Sequence, residues 1–436
     1  MCLYAISVSR MNDGRSGPSR RSFLATGGTV AGAALAGCLT GGGGSGGKDT
    51  VTLGILEDRS GNFALNGTPK YNASMLAIDE LNDDGGILGK QIETFAPDPQ
   101  SDNKRYQQLT RQAINEEQVD ALWAGYSSAT REAIRPIIDQ NEQLYFYTTQ
   151  YEGGVADSYT FCMGATARQQ LGMVMPYLID EFGTDIYTIA ADYNFGQISA
   201  DWVRVLANEH DANVIGEEFI PLSVSQFGST INNIQDADPD FVMALLVGAN
   251  HTSFWNQRTS AGLDLPFGTS TVMAQGYQHK RLDPPAMKGV YGGFNYMQEV
   301  PTDRNQDFVD RYYEKYPDAP YVNEECVNNY FSIKMYAQAA ESVGSTNQED
   351  IIAELEKGMD VSAPEGDISL QGKVHHMTHD MRVFRCDENH DIHVMEEHKI
   401  PEQFLSDTVG VNLRENDQTK QYVPADYFEA ADATRE

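Results

Sequence analysis

Val51-Thr-Leu-Gly-Ile-Leu56 is followed by a helical stretch, Lys70–Asn82, that stops at Asp83-Asp84-Gly85-Gly86 before a second apolar run, Gln91–Ala96. A short aliphatic run bounded by turn residues reads as a buried strand, and a helix between two such runs reads as a crossover joining parallel strands. The alternation continues through helix Lys104–Glu117, strand Ala121–Ala124, helix Ala129–Gln140 and strand Tyr145–Tyr147. It restarts after an extended stretch at Tyr159–Gly164. Helices Arg168–Phe182, Ser199–Glu209, Ser229–Asp236 and Thr252–Ala261 then alternate with strands Ile186–Ala191, Asn213–Ile220, Phe241–Leu246 and Pro266–Thr269. The sequence therefore predicts an α/β fold of two doubly wound parallel-sheet lobes, with a cleft at the carboxyl ends of the strands. Beyond Gly289–Phe294, helices are expected at Asp307–Tyr316, Asn323–Val343 and Gln348–Lys357, and His375–Val394 reads as a surface hairpin.

Composition narrows the function. Against 31 basic residues stand 63 acidic ones, a formal net charge of −32. Such a surface lacks the basic face that nucleic acid requires. The acids are spread along the chain, as suits a protein working in high salt, where screening reduces self-repulsion. Cys162, Cys326 and Cys386 are scattered and form neither a disulfide framework nor metal-ligand spacing.

The N-terminus reads as an address. Ser19-Arg20-Arg21-Ser22-Phe23-Leu24 carries the paired arginines, Arg20 and Arg21, of a twin-arginine export signal. A weakly apolar stretch from Ala25 to Ala36, too short to span a bilayer, ends in Leu35-Ala36-Gly37-Cys38, a lipobox-like sequence. Residues 1–37 are thus expected to be a lipoprotein signal peptide. Residues 38–49 are expected to hold the lipidated Cys38 and a flexible Gly/Ser tether, placing the body outside the cell on the membrane face.

Three segments fall where predicted strands end: Gly125-Tyr126-Ser127-Ser128-Ala129-Thr130-Arg131, Tyr147-Thr148-Thr149-Gln150-Tyr151-Glu152-Gly153, and Ala191-Asp192-Tyr193-Asn194-Phe195. Hydroxyls there can donate and accept, and free N–H groups open the following helices. With Ala363-Pro364-Glu365-Gly366, Gly54–Gly61 and Asp83–Gly89, these segments resemble the type I periplasmic binding proteins of ABC importers, in the urea and short-chain amide branch, over roughly residues 50–400. The resemblance implies ligand contacts at Tyr126, Ser128, Tyr147, Thr149 and Tyr193, with Gly248 and Ala249 in the second wall. It also implies lobe 1 at 50–163 and 297–364, lobe 2 at 164–296 and 365–436, and a three-crossing hinge near Cys162–Ala165, Asn295–Met297 and Ala363–Gly366. Phe195 stands where amide-binding relatives often offer another Tyr, and Ala274-Gln275-Gly276 lacks an acid often found nearby.

The implied partners are a small polar solute, a permease and an ATPase, with no cofactor, metal or catalytic residue. Three other readings compete with urea or amide capture. They are capture of a branched-chain or other amino acid, an amide sensor for a signalling partner, and an exported hydrolase. The last lacks a G-x-S-x-G elbow, and no P-loop or HExxH occurs. Glu324 and Glu325, at a helix start where acids suit the dipole, are assigned no chemistry.

Overall fold

The structure, a computed structural model, describes residues 49–248 and 250–432; the signal, Cys38 and Ala249 lie outside them. The first half runs β1 (Val51–Leu56), α1 (Ala64–Asp83), β2 (Ile92–Phe95), α2 (Asn103–Asn115), β3 (Ala121–Ala124), α3 (Ser128–Asn141), β4 (Tyr145–Tyr147), β5 (Val155–Asp157) and β6 (Thr160–Cys162). Next come α4 (Ala167–Phe182), β7 (Asp185–Ala191), α5 (Asn194–Glu209), β8 (Asn213–Ile220), α6 (Gly228–Ala237), β9 (Phe241–Leu245), α7 (Asn250–Ser260), β10 (Phe267–Thr269), the single turn α8 (Gln278–Arg281) and β11 (Val290–Phe294). The chain ends with α9 (Asp303–Lys315), α10 (Glu324–Val343), α11 (Gln348–Leu355), β12 (Met359–Ala363), β13 (Gly366–Gln371), β14 (His376–Cys386), β15 (Ile392–Ile400) and β16 (Thr419–Gln421).

Two doubly wound units result, as the alternation predicts. Parallel strands in the order β2-β1-β3-β4-β6 form the first sheet, and β11-β10-β9-β7-β8 the second. Caps fix several crossovers: Asp102, Ser127, Thr302 and Asn323 accept from the first-turn amides of α2, α3, α9 and α10, and Thr166 with Gln169 makes a capping box on α4. In the first core, Trp123 stacks on Phe146 at 4.7 Å and meets Tyr336 of α10 edge-on at 5.7 Å. Its indole N–H donates to Ser332 Oγ at 2.9 Å.

Three sequence expectations change. Ala363–Gly366 is not a crossing but the turn of the β12–β13 hairpin, with Ala363 opposite Gly366. The strand that passes between the sheets is β14: His376 pairs with Cys162 of β6, while residues from Arg382 to Cys386 pair antiparallel with β11. The predicted surface hairpin does form, from β14 and β15, but His375, His376 and His379 are buried in it. Phe161, Tyr151 and, from α10, Phe331 pack on these histidine rings and cover faces that alternation alone assigns to solvent. The histidines serve structure: His375 stacks on Phe161, His376 meets the Tyr151 hydroxyl, and His379 Nδ1 lies 2.8 Å from Glu365. The three cysteines are free and buried.

Arg382, buried on β14, ties the connections together. Its guanidinium donates to the carbonyls of Asn295 and Glu365, each at 2.8 Å, and its Nε to Glu397. Replacing it strands buried acceptors. Arg382→Leu is expected to lower the free energy of unfolding by about 2–4 kcal/mol, read by denaturant titration at fixed salt.

Candidate functional site

The carboxyl edges of both sheets face one cleft. From the first sheet come Glu57 after β1, Gly125 and Tyr126 after β3, and Thr149 after β4. From the second come Tyr193 after β7, Val247 and Gly248 after β9, and Thr271 to Arg281 after β10. Gly67 lets α1 start close to β1: a Cβ there would sit 2.1 Å from the Asp58 carbonyl oxygen. That approach holds Asn66 at the cleft.

Between the edges lies a cavity of about 150 Å³. Phe63, Asn66 and Tyr126 line one side, and Gly248, Gln275 and Arg281 the other. The walls touch: Asn66 Nδ2 donates to the Gln275 carbonyl at 2.9 Å, and the Tyr126 hydroxyl donates to Gln275 Oε1 at 3.2 Å. Phe63 lies 4.8 Å from the Tyr126 ring, giving the cavity an aromatic flank. Gly248 has φ +87°, a left-handed conformation that leaves its wall bare of side chain. Arg281 reaches the rim over the Tyr277 ring and has no ion pair among the described residues.

Of the residues singled out in the sequence, Tyr126 and Gly248 line this cavity. The others cluster around it with partners of their own. The Tyr147 hydroxyl donates to the Tyr126 carbonyl at 3.0 Å, and Thr149 Oγ1 accepts from Lys70 Nζ at 3.1 Å. Ser128 donates to Glu152, while Ser127, not Ser128, caps α3. Tyr193, half-buried, packs against the cluster of Ala191, Phe195 and Val247, its ring 6.0 Å from that of Phe195. Ala249 lies outside the described residues.

Charge beneath the cavity is unusually dense. Lys70 Nζ is 3.0 Å from Glu57 Oε2 and also donates to the Gly125 carbonyl at 3.0 Å. Both side chains are fully buried, and burial pushes the Glu57 carboxyl up against the pull of Lys70. Arg131 pairs with Glu152 at 2.7 Å, sandwiched by the rings of Tyr147 and Tyr151.

Sequence reasoning missed Asn66, Gln275, Arg281 and, above all, Glu324 and Glu325. Both acids are fully buried at the start of α10. Their four oxygens have no hydrogen-bond partner among the described residues; the side chains of Gln275 and Asn66 come near Glu324 and Glu325 respectively without reaching bonding geometry. A partial signal was present: Cys326, Val327, Tyr330, Phe331 and Ile333 make a wide apolar stripe on α10, and Glu324 falls at its edge. Burial raises both carboxyls, that of Glu325 to about 8.

The arrangement suits binding: its parts are walls, a rim and buried charges around a partly open cavity. Two lobes closing on such a cavity define a solute-binding protein. A family model described as "Periplasmic binding protein" matches residues 50–391, and the chain belongs to that family. It is thereby a substrate-binding protein of the ABC-transporter class, an extracytoplasmic class of binders rather than of enzymes. Among the described residues no helix is long and apolar enough to cross a membrane. A Leu/Ile/Val-binding protein homolog of Brucella abortus is 22% identical over 338 residues, 76% of this chain and 86% of that protein. The fold is shared with a branched-chain amino acid transporter substrate-binding protein of Streptococcus pneumoniae in complex with isoleucine (TM-score 0.71, 18% identity, 80% of this chain and 99% of the other). It is also shared with a solute-binding protein of Rhodopseudomonas palustris in complex with 3,4-dihydroxybenzoic acid (TM-score 0.71, 17% identity, 81% and 99%).

Glu325 links the site to pH. Its carboxyl keeps a proton up to about 8 when folded and only to about 4.5 otherwise, so the folded chain holds the extra proton in that interval. Stability should fall as pH rises from 4.5 towards 8. In Glu325→Gln that part of the slope should be absent, as measured by thermal melts across the range at constant ionic strength.

Proposed function

We propose that this chain captures a small amino acid between its two lobes and presents it to an ABC permease driven by an ATPase. The observation that carries the capture role is the pair of contacts from Asn66 and Tyr126 to Gln275 beside a cavity of about 150 Å³. A solute touching both walls stabilises the closed form through differential contacts, and the closed form is the one a permease recognises. Arg281 at the rim supports a carboxylate-bearing cargo, and the relatives named for leucine, isoleucine and valine support the amino-acid class.

Urea or a short-chain amide is the second reading. The hydroxyl set Tyr126, Ser128, Tyr147, Thr149 and Tyr193 favours it, as does the small volume. It ranks second because Ser128, Tyr147 and Thr149 already spend their hydroxyls on Glu152, Tyr126 and Lys70. The lobe boundaries at 163/164 and 296/297 are part of the proposal, with the third passage made along β14 instead of at 364/365. So are export through Arg20 and Arg21, attachment through Cys38, and a surface suited to high salt.

Calorimetric titration of the full chain in high salt, against glycine, L-leucine, acetamide and urea, tests the assignment. Saturable amino-acid binding, weakened about tenfold in Gln275→Ala, is expected, as for loss of one bridging amide. Binding of urea or acetamide alone would install the second reading. For the anchor, Cys38→Ser expressed in the native host should leave the protein in the medium instead of the membrane fraction; an unchanged membrane fraction would overturn attachment at Cys38.

A further inference from the structure

Two buried carboxyls without a cation are expensive to keep, because an interior charge is normally paired or removed. Around Glu324 and Glu325 the charged groups are few. Lys70 and Glu57 face Glu325 from α1 and the end of β1, and Lys70 is already bonded to Glu57. Glu365 faces Glu324 from the β12–β13 turn and is itself paired with His379. Tyr126 approaches from the loop after β3, and Cys326 follows on α10. No second cation approaches the pair among the described residues.

Two amide donors lie beside the acids. Gln275 Nε2 and Asn323 Nδ2 are buried without a hydrogen-bond partner among the described residues. Gln275 belongs to the cavity wall, bridging it to Asn66 and Tyr126, so the acids stand directly behind the residues that join the lobes. The four carboxyl oxygens are acceptors that these amides leave unsaturated, and they stand next to the cavity-wall residues Gln275 and Asn66, where a group bringing its own donors and positive charge can complete them.

We infer that Glu324 and Glu325 form the subsite for the cargo's ammonium or amidinium group, and that seating this group expels a proton to solvent. The inference rests on the solute-capture reading and names the substrate class within it: a primary amine or related cation, not a neutral amide. The exchange balances simply. The carboxyl O–H gives its proton to water or buffer, and the resulting carboxylate accepts N–H bonds from the cargo. The raised carboxyl of Glu325 places the exchange in the neutral range.

The test is calorimetry on the full chain with glycine, L-leucine, L-arginine, putrescine, acetamide and urea, each in phosphate and in Tris. The difference in heat between buffers counts protons released. An amine-bearing probe should bind with release of about one proton at pH 7, and its affinity should rise about tenfold per pH unit up to about 8. In Glu325→Gln both the release and the pH slope should vanish, while thermal melts report that the variant is folded. The inference is overturned if amine probes bind with no proton release in wild type, which needs no variant at all. It is overturned equally if Glu325→Gln binds them with release unchanged. Binding of acetamide or urea alone would sink the inference and leave solute capture standing, whereas silence from all six probes would sink both.

Discussion

Parallel strands bonded side by side must all begin at one edge of a sheet and finish at the other, and each return has to be made by a crossover that adds no edge of its own. In this chain the constraint operates twice. Because β1, β3 and β4 all finish at one edge, the residues that follow them, Glu57, Tyr126 and Thr149, converge without any pairing of their own. Because β7, β9 and β10 finish together, Tyr193, Gly248 and Gln275 converge opposite them. The cleft is a by-product of hydrogen-bond direction, and the residues placed in it are what sequence variation is free to change.

What fills that cleft divides into charges that are paired and charges that are not. Lys70 with Glu57 and Arg131 with Glu152 are buried pairs whose remaining hydrogen-bonding capacity goes to backbone carbonyls, hydroxyls and amides. Such pairs fix geometry, because removing either partner leaves an interior charge costing about 3–5 kcal/mol. Glu324 and Glu325 lack that completion. The contrast with the paired charges nearby sets these two acids apart.

Much of this is legible in the chain itself. The βαβ alternation yields both lobes, and the strand ends together with the family resemblance yield Tyr126 and Gly248 at the cavity. The rest fails for physical reasons. Asn66-Gly67-Thr68-Pro69 reads as a breaker and so pushes the expected start of α1 to Lys70, yet the helix begins at Ala64 and Gly67 is there for close packing. Alternation sends His375, His376 and His379 to the surface because it reports which residues share a face but not whether another element packs on it. Hydroxyl positions are legible, but their partners are not: whether Thr149 faces a solute or Lys70 depends on a helix residue 79 positions earlier in sequence. Glu324 and Glu325 invite a reading by local helix electrostatics, which cannot see what packs outside the helix.

β14 carries a mechanical consequence. A strand that is hydrogen-bonded to both sheets cannot swivel as a loose linker does. Between its pairing with β6 and β13 at one end and β11 at the other, it can yield chiefly by changing its coil, and the register shift against β15 between Val383 and Phe384 marks where its regularity is already broken. The two halves are thus joined as by a torsion bar. Any rotation of one half against the other has to be taken up as a change of twist in this one strand.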